Sequence, residues 1–268
     1  MRFFAGAILA AHFAPIDVTR VLVGGLAWWC ATVVVYVVNG ISDVTEDRLN
    51  NSQRPVARGE LSIPDAIHAC WGLALAAVIL AAFVGRGMLP LLLVFLALGY
   101  LYSAPPFALK RRTMGASFVA ALGGLVTYAA GYTVTGGTAG APLLLFALAM
   151  SGWMGLVGIQ AKDLSDAVGD AAAGRQTIAV RWTEAQVRAT LATTALAVGG
   201  GFLYLADHLA PAMHAESIAV FVGALALAAV VLSRISTGNR TRRRTPYRVF
   251  MATQYAAHLA LVGTVFAV

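Results

Sequence analysis

Long apolar runs separated by short polar stretches form the basic pattern of this chain. The runs predict helices at about 1–16, 20–41, 64–84, 88–104, 115–135, 141–161, 186–206, 216–233 and 248–268. A helix needs roughly 20 apolar residues to cross the hydrocarbon core of a bilayer, and most of these runs approach that length. The pattern therefore predicts an all-α, polytopic membrane helix bundle with about nine transmembrane helices.

Composition supports an integral membrane location. Hydrophobic residues make up 59% of the chain and charged residues only 12%, whereas soluble domains carry about 25% charged residues. A net charge of +7 would suggest a nucleic-acid partner in a soluble chain, but in a membrane protein its distribution between loops sets topology. We therefore expect the lipid bilayer, and no nucleic acid, as a partner. Cys30 and Cys70 lie in apolar runs and are expected to be buried free thiols.

Basic residues are concentrated in every second predicted loop. Four loops hold sixteen of the nineteen Lys and Arg, namely Arg48, Arg54, Arg58, Lys110, Arg111, Arg112, Lys162, Arg175, Arg181, Arg188, Arg234, Arg240, Arg242, Arg243, Arg244 and Arg248. Cytoplasmic loops carry an excess of Lys and Arg. This bias predicts that the N-terminus and the four basic loops face the cytoplasm and that the C-terminus faces outside. The run NRTRRR in the last loop is expected to lie near anionic lipid, with phosphate binding as the alternative.

Two acidic stretches follow the second and sixth apolar runs. Residues 39–47 read NGISDVTED and residues 162–170 read KDLSDAVGD. If the helix continues through the first stretch, Asn39, Asp43 and Asp47 share one face at i, i+4 and i+8. Glu46 then points away from that face and is expected to be solvated. The second stretch repeats this ladder of oxygen ligands with Asp163, Asp166 and Asp170.

The acidic ladders are poorly placed unless a cation joins them. Negative charge is disfavoured at the C-terminal end of a helix, and like charges one turn apart repel each other. Oxygen ligands without His or Cys favour Mg²⁺, which takes one or two carboxylates and binds phosphate oxygens. The alternative is that these aspartates are ordinary solvated loop residues. We expect a site for Mg²⁺ and a diphosphate.

Basic and hydroxyl residues near the ladders could neutralise the diphosphate. They belong to RPVARG at residues 54–59, YSAPPFALK at residues 102–110 and GRQT at residues 174–177. Each segment alone is an ordinary loop, in which Arg or Lys is more often a topology signal than a ligand. Together they provide several cations at one predicted membrane face.

In order and spacing, these segments resemble the UbiA-type intramembrane prenyltransferase superfamily. The pattern is N-x3-D-x3-D followed by RP, then YSAPP and LK, then KD-x2-D-x3-D-x3-G-x2-T, and it spans roughly residues 20–200. The resemblance implies one domain over residues 1–268, a nine-helix bundle around a central cavity that opens to the cytoplasmic face. It also implies an enzyme that transfers a prenyl group from an isoprenyl diphosphate to a small acceptor, expected to be aromatic or a quinone precursor.

The resemblance assigns roles to individual residues. It implies Mg²⁺ ligands at Asn39, Asp43, Asp47, Asp163, Asp166 and Asp170. Asp43, Asp47, Asp166 and Asp170 are expected to be catalytic. Diphosphate contacts are expected from Asn39, Arg54, Tyr102, Ser103, Lys110 and Lys162.

Aromatic side chains near the motifs could face an allylic cation, although packing or lipid contact is their commoner role. They are Trp28, Trp29, Tyr36, Phe107, Tyr128, Tyr132 and Trp153. The histidines lie outside the motifs and are expected to be structural or interfacial: His12, His68, His208, His214 and His258.

Two other functions fit part of the pattern. A terpene cyclase on the same scaffold would share the ionisation step and need no acceptor. An ion-coupled transporter would place charged residues within its spans rather than at one face. Frequent Ala and Arg are typical of a GC-rich bacterial genome, so a bacterial inner membrane is the expected location.

Overall fold

The computed structural model describes residues 1–11, 16–49 and 52–266. Its helices are α1 Arg2–Ala10, α2 Val18–Ser42, α3 Val44–Leu49, α4 Pro55–Arg58, α5 Ile63–Val84, α6 Met88–Ser103, α7 Thr113–Thr133, α8 Ala141–Gly152, α9 Ile159–Ala172, α10 Ile178–Arg181, α11 Glu184–Leu209, α12 His214–Leu232, α13 Arg240–Arg243 and α14 Thr245–Phe266. Across these ranges no residue belongs to a named β-strand, which confirms the expected all-α class.

Helix length and composition support several membrane crossings. Six helical segments of the described chain are long and apolar enough: α2, α5, α7, the Ala141–Ala172 segment, α11 and Pro211–Leu232. Helix α6 is apolar but shorter, and α1 has only nine residues. The predicted count of nine crossings is therefore not confirmed and stays a prediction. Residues 12–15, 267 and 268, which the first and last predicted helices include, lie outside the described residues, as does His12.

The second acidic ladder lies within a helix rather than in a loop. Helix α8 runs through a π-helical turn, Trp153–Gly158, directly into α9, and together they form one segment that ends at Ala172. The predicted boundary at residue 161 was therefore too early. The polar residues after 161 still form helix because they face other polar groups at the end of the bundle. π-turns of this kind are frequent at functional sites.

Several helix starts follow from local capping chemistry. The Asp17 side chain accepts a hydrogen bond from the Arg20 backbone N–H at 3.1 Å at the start of α2. Ser62 caps α5 in the same way, through the backbone N–H of Asp65 at 3.2 Å. Each cap satisfies a backbone donor that has no partner inside the helix. These polar residues therefore fix where the apolar runs begin as helices.

Small residues bring α1 and α7 into backbone contact. A Cβ atom on Gly131 would lie 1.9 Å from the carbonyl oxygen of Phe3, and one on Gly6 would lie 2.3 Å from that of Tyr128. No side chain fits at such distances, so glycine is required for this close approach. A central cavity lies between six helices: α1, α2, α6, α7, α9 and α14.

Candidate active site

The polar ends of α2, α6 and α9 meet at one end of the bundle, called here the motif end. The connection after α6 contacts the connection after α9, because Gln176 donates its backbone N–H to the carbonyl of Arg111 at 2.8 Å. The Arg111 guanidinium in turn donates to the carbonyl of Ala173 at 3.2 Å. These bonds bring segments far apart in sequence to the same place. The two acidic ladders therefore face each other across the motif end.

Asp43 is the centre of the charged network. Its carboxylate lies 2.6 Å from Lys110 Nζ and 2.8 Å from Arg175 Nη2, with Arg54 Nη1 at 3.6 Å. All these partners are at least partly buried. Burial alone would raise the pKa of Asp43, but Lys110 and Arg175 outweigh it and lower the pKa. Asp43 is therefore held as an anion between three cations.

Arg54 joins the first ladder. Its Nη1 lies 3.2 Å from the Asn39 side-chain oxygen and 2.8 Å from Asp47 Oδ2. The backbone bonds from Asp43 to Asn39 and from Asp47 to Asp43 continue the helical pattern across the end of α2. The ladder residues therefore share one face, as their spacing predicts. Burial alone would lower the pKa of Arg54, but the neighbouring Asp47 carboxylate outweighs burial and raises it.

The second ladder has three different environments. Asp163 is buried and accepts a hydrogen bond from the Thr113 hydroxyl at 2.7 Å. Asp166 lies 3.3 Å from Lys162 Nζ and 2.9 Å from Arg240 Nη2. Asp170 is also buried, and it pairs with Arg175 in the turn after α9. The three aspartates are thus not equivalent, although their spacing is that of a single ladder.

Arg175 connects the two ladders. Besides Asp43, it reaches Asp170 Oδ1 from Nη1 at 3.4 Å and also pairs with Glu46. The pattern GRQT placed Arg175 near the second ladder, but it gave no sign of this bridging position, which depends on the turn of Gly174 with its φ of +65°. Burial would lower the pKa of Arg175, but Asp43, Asp170 and Glu46 raise it.

The expectation for Glu46 was wrong. Its side chain is partly buried and pairs with Arg175 instead of pointing into solvent. Glu46 lies three residues after Asp43, about one helical turn, so the two side chains are neighbours and both pair with Arg175. Burial and the neighbouring Asp43 raise the pKa of Glu46.

A cavity of about 790 Å³ opens from the charged network into the bundle. At its charged end the lining includes Asn39, Asp43, Arg54, Tyr102, Lys110, Lys162 and Arg175. Its aromatic wall includes Trp28, Trp29, Tyr36 and Phe95. The other predicted site residues do not line this cavity: Asp47, Ser103, Asp163, Asp166 and Asp170.

The other aromatic candidates do not line this cavity: Phe107, Tyr128, Tyr132 and Trp153. Trp153 and Tyr128 are completely buried, and Trp153 stacks on Phe250 at 5.9 Å between ring centroids. Phe107 lines a separate cavity of about 610 Å³ beside Arg111 and Arg112. Ser103 is buried with a hydroxyl that lacks a hydrogen-bond partner within the described chain.

A second polar group lies deeper in the cavity wall. Arg2 donates from Nη2 to the Gln254 side-chain oxygen at 2.8 Å. His258 contacts the Tyr128 hydroxyl through Nε2 at 2.9 Å and the Gln254 carbonyl through Nδ1 at 2.7 Å. The sequence analysis expected His258 to be structural or interfacial and gave Arg2 no role in the site. Their position on α1 and α14 could not be read from local patterns.

The donor set suits Mg²⁺ bound together with a phosphate ligand. In the described ranges, no three acidic, His or Cys side chains lie close enough to form a metal site by themselves. The carboxylates are divided between two ladders, with Arg175 between them. Mg²⁺ typically takes only one or two carboxylates and completes its shell with water and phosphate oxygens. The divided, oxygen-only arrangement therefore fits it.

Comparison with known proteins identifies the family of this chain. The profile of the UbiA prenyltransferase family matches residues 1–259. The chain therefore belongs to this family, which confirms the expected superfamily and the expected class of enzyme. Chlorophyll synthase, the chloroplast enzyme of Arabidopsis thaliana, is 31% identical over 122 residues. That match covers 40% of this chain but only 32% of the plant protein.

Solved structures share the fold at low sequence identity. A UbiA homologue from Archaeoglobus fulgidus bound to GPP and Mg²⁺ has a TM-score of 0.74 at 18% identity, covering 99% of this chain and 94% of that one. A digeranylgeranylglyceryl phosphate synthase has a TM-score of 0.71 at 15% identity, covering 100% and 92%. The apo homologue from Aeropyrum pernix K1 has a TM-score of 0.69 at 16% identity, covering 98% and 95%.

Proposed function

We propose that this chain transfers a prenyl group from an isoprenyl diphosphate to a small aromatic or quinone-precursor acceptor within the membrane. The observation that supports this most directly is the position of Asp43. Its carboxylate is shared by Lys110 and Arg175 at the polar mouth of an aromatic-lined cavity. A diphosphate needs the cations, and an isoprenyl chain needs the apolar cavity behind them.

The relatives support the same substrates. Archaeoglobus fulgidus homologues carry GPP or DMAPP together with Mg²⁺. The basic connections after α2, α6, α9 and α12 support a motif end on the cytoplasmic side, by the excess of Lys and Arg. The composition also favours a bacterial plasma membrane.

The motif end brings together carboxylates that suit a metal ion and cations that suit a diphosphate. Six carboxylates, Asp43, Glu46, Asp47, Asp163, Asp166 and Asp170, stand among five cations, Arg54, Lys110, Lys162, Arg175 and Arg240. Asn39 adds a neutral oxygen. Asp43 and Asp47 from the first ladder and Asp166 and Asp170 from the second would hold Mg²⁺, with Asn39 and Asp163 beside them. When bound, Mg²⁺ supplies charge that stabilises the departing diphosphate.

The basic residues act on the leaving group. Breaking the allylic C–O bond leaves a cation on the prenyl carbon and a further negative charge on the diphosphate. Lys110, Arg175 and Arg54 are fixed beside that position before reaction, so they stabilise the developing charge without reorganising. Burial lowers the pKa of Lys110, and Asp43 opposes this effect by raising it. Tyr102 and Ser103 offer hydroxyl donors on the same side.

The cavity serves the prenyl chain and its cation. Trp28, Trp29 and Tyr36 offer aromatic faces next to the charged mouth. A cation–π contact with one such ring is worth about 1–2 kcal/mol in a desolvated site. The apolar wall also keeps water from trapping the cation before the acceptor reacts.

The deeper polar group favours an acceptor over cyclisation. Arg2, Gln254 and His258 line the same cavity as Asp43. An ionisable side chain within a membrane cavity is costly and usually functional. We infer that these side chains hold one oxygen atom of the acceptor, and that the proton lost from the atom that is prenylated, at the other end of the acceptor, goes to a ladder aspartate at the cavity mouth. Incubation of the purified chain with Mg²⁺ and prenyl diphosphates, with and without aromatic acceptors, tests this by product mass. A cyclic hydrocarbon formed without acceptor would select the terpene cyclase instead.

A further inference from the structure

The connection between α12 and α14 folds back across the second ladder. After α12 ends at Leu232, a short 3₁₀ turn, Arg234–Ser236, leads to Gly238, whose φ of +95° is readily adopted only by glycine. The Asn239 side chain then caps α13 by accepting the backbone N–H of Arg242 at 3.0 Å. This defined backbone places the side chains of α13 in fixed directions.

The first turns of α11 hold this connection in place. Arg188 is buried and donates to the Val231 carbonyl at 2.6 Å and to the Ser236 hydroxyl at 2.7 Å. Glu184 lies 2.7 Å from Arg188 Nη2 and 2.8 Å from Arg243 Nη2. Arg188 thus holds Ser236 by hydrogen bonds to its hydroxyl and its carbonyl, which restricts the movement of the connection after α12. The position of α13 is therefore set by its contacts with α11.

Arg240 is the side chain that this arrangement brings to the ladder. Its Nη2 lies 2.9 Å from Asp166 Oδ1, while Lys162 approaches the other oxygen of the same carboxylate at 3.3 Å. The Arg240 side chain is half-exposed. The first ladder has the corresponding contacts with Arg54.

We propose that Arg240 is a further diphosphate-binding residue, supplied from α13 to the side of the site formed by the second ladder. This inference rests on the proposed function. When Asp166 binds a metal ion, it no longer needs Arg240 as its counterion. The guanidinium is then next to an anion with paired oxygens, which its planar fork binds better than an ammonium group does. Arg240 belongs to the connection after α12, outside the family motifs in the sequence.

The test compares two arginines of the same four-residue helix. Arg242 is exposed and makes no ion pair within the described residues, so Arg242→Gln is the matched control for Arg240→Gln. Binding of inorganic diphosphate in the presence of Mg²⁺ is measured by calorimetry on the full chain in detergent. A hydrogen bond to a charged group is worth about 1.5–3 kcal/mol, so Arg240→Gln should raise Kd at least tenfold. Arg242→Gln should change Kd by less than about twofold, as expected for an exposed charge.

A second variant and a second measurement keep the result interpretable. Arg240→Lys retains charge without the fork and should give an intermediate Kd. Bound diphosphate should also slow tryptic cleavage after Arg240 in the wild type, relative to cleavage after Arg58 on the exposed side of α4. Equal Kd values for Arg240→Gln and Arg242→Gln would overturn the role of Arg240 alone. If the wild type binds no diphosphate with Mg²⁺, both this role and the proposed function are wrong.

Discussion

The carboxylate of Asp43 and the guanidinium of Arg175 lie 2.8 Å apart, although 132 residues separate them in the chain. One stands at the end of α2, and the other follows α9. Their contact joins the two acidic ladders, because Arg175 also reaches Asp170. The two ladders thus form one charged network rather than two separate metal sites.

Catalysis should depend on the positive charge of Arg175. Arg175→Gln should lower kcat for release of diphosphate by about 10², the usual effect of losing a fixed donor at a developing negative charge. Steady-state kinetics on a prenyl diphosphate with Mg²⁺ measure this. Arg181→Gln, an exposed arginine on α10, is the control and should keep kcat near the wild-type value. Similar kinetics for the two variants would exclude Arg175 from the reaction.

Stability should depend on pH through Asp43. Because its pKa in the folded state lies below the ordinary value of 3.8, its ionised form stabilises the fold above that value. This contribution is lost as the pH falls through the folded-state pKa. Asp43→Asn removes it at every pH and leaves Lys110 and Arg175 without their shared counterion. Losing one partner of a buried pair costs about 3–5 kcal/mol.

Thermal unfolding of the wild type and Asp43→Asn should therefore differ most near neutral pH. The difference should narrow as the pH is lowered below 3.8, where the carboxylate becomes protonated first in the unfolded state and then in the folded state. A constant difference between pH 3 and 7 would contradict the proposed ionic role. The Asp47→Asn variant, whose carboxylate has one cation partner at 2.8 Å, should show a smaller effect.

Close packing of α1 on α7 should depend on Gly131. Gly131→Ala places a methyl group against the Phe3 carbonyl oxygen and should destabilise the protein by about 1–3 kcal/mol, as overpacking does. Gly72 is also helical but meets nothing within 4 Å. Gly72→Ala should leave stability unchanged or raise it by up to about 1 kcal/mol. The thermal unfolding midpoints of Gly131→Ala and Gly72→Ala in detergent test this prediction. Equal midpoints would contradict the close contact between α1 and α7.

Acceptor binding should depend on Arg2. Arg2→Gln should raise the KM of an aromatic acceptor about tenfold, because it removes a charged hydrogen-bond donor from the cavity wall. The KM of the prenyl diphosphate should stay unchanged, since the motif end is intact. Arg86→Gln, at an exposed position before α6, is the control. If Arg2→Gln changed only the KM of the prenyl diphosphate, the assignment of the acceptor to the Arg2 side of the cavity would be wrong.

The sequence predicted the class of fold because apolar runs of membrane length are local signals. The i, i+4, i+8 spacing also placed Asn39, Asp43 and Asp47 on one face, and all three side chains lie near Arg54; their role as ligands stays a prediction. The sequence could not predict which cation meets which carboxylate. Arg175 and Arg240 reach their partners through turns at Gly174 and Gly238, whose geometry depends on tertiary contacts. Glu46 was misplaced for the same reason, since its partner is Arg175.

The most direct test of the proposed function is Mg²⁺-dependent release of diphosphate from a prenyl diphosphate by the purified protein. The wild type should release diphosphate and form a prenylated acceptor, and EDTA should abolish both. Asp166→Asn, which keeps the shape of the side chain, should also abolish release while the protein stays folded. Turnover that is unchanged by EDTA, or full activity of Asp166→Asn, would contradict the proposal.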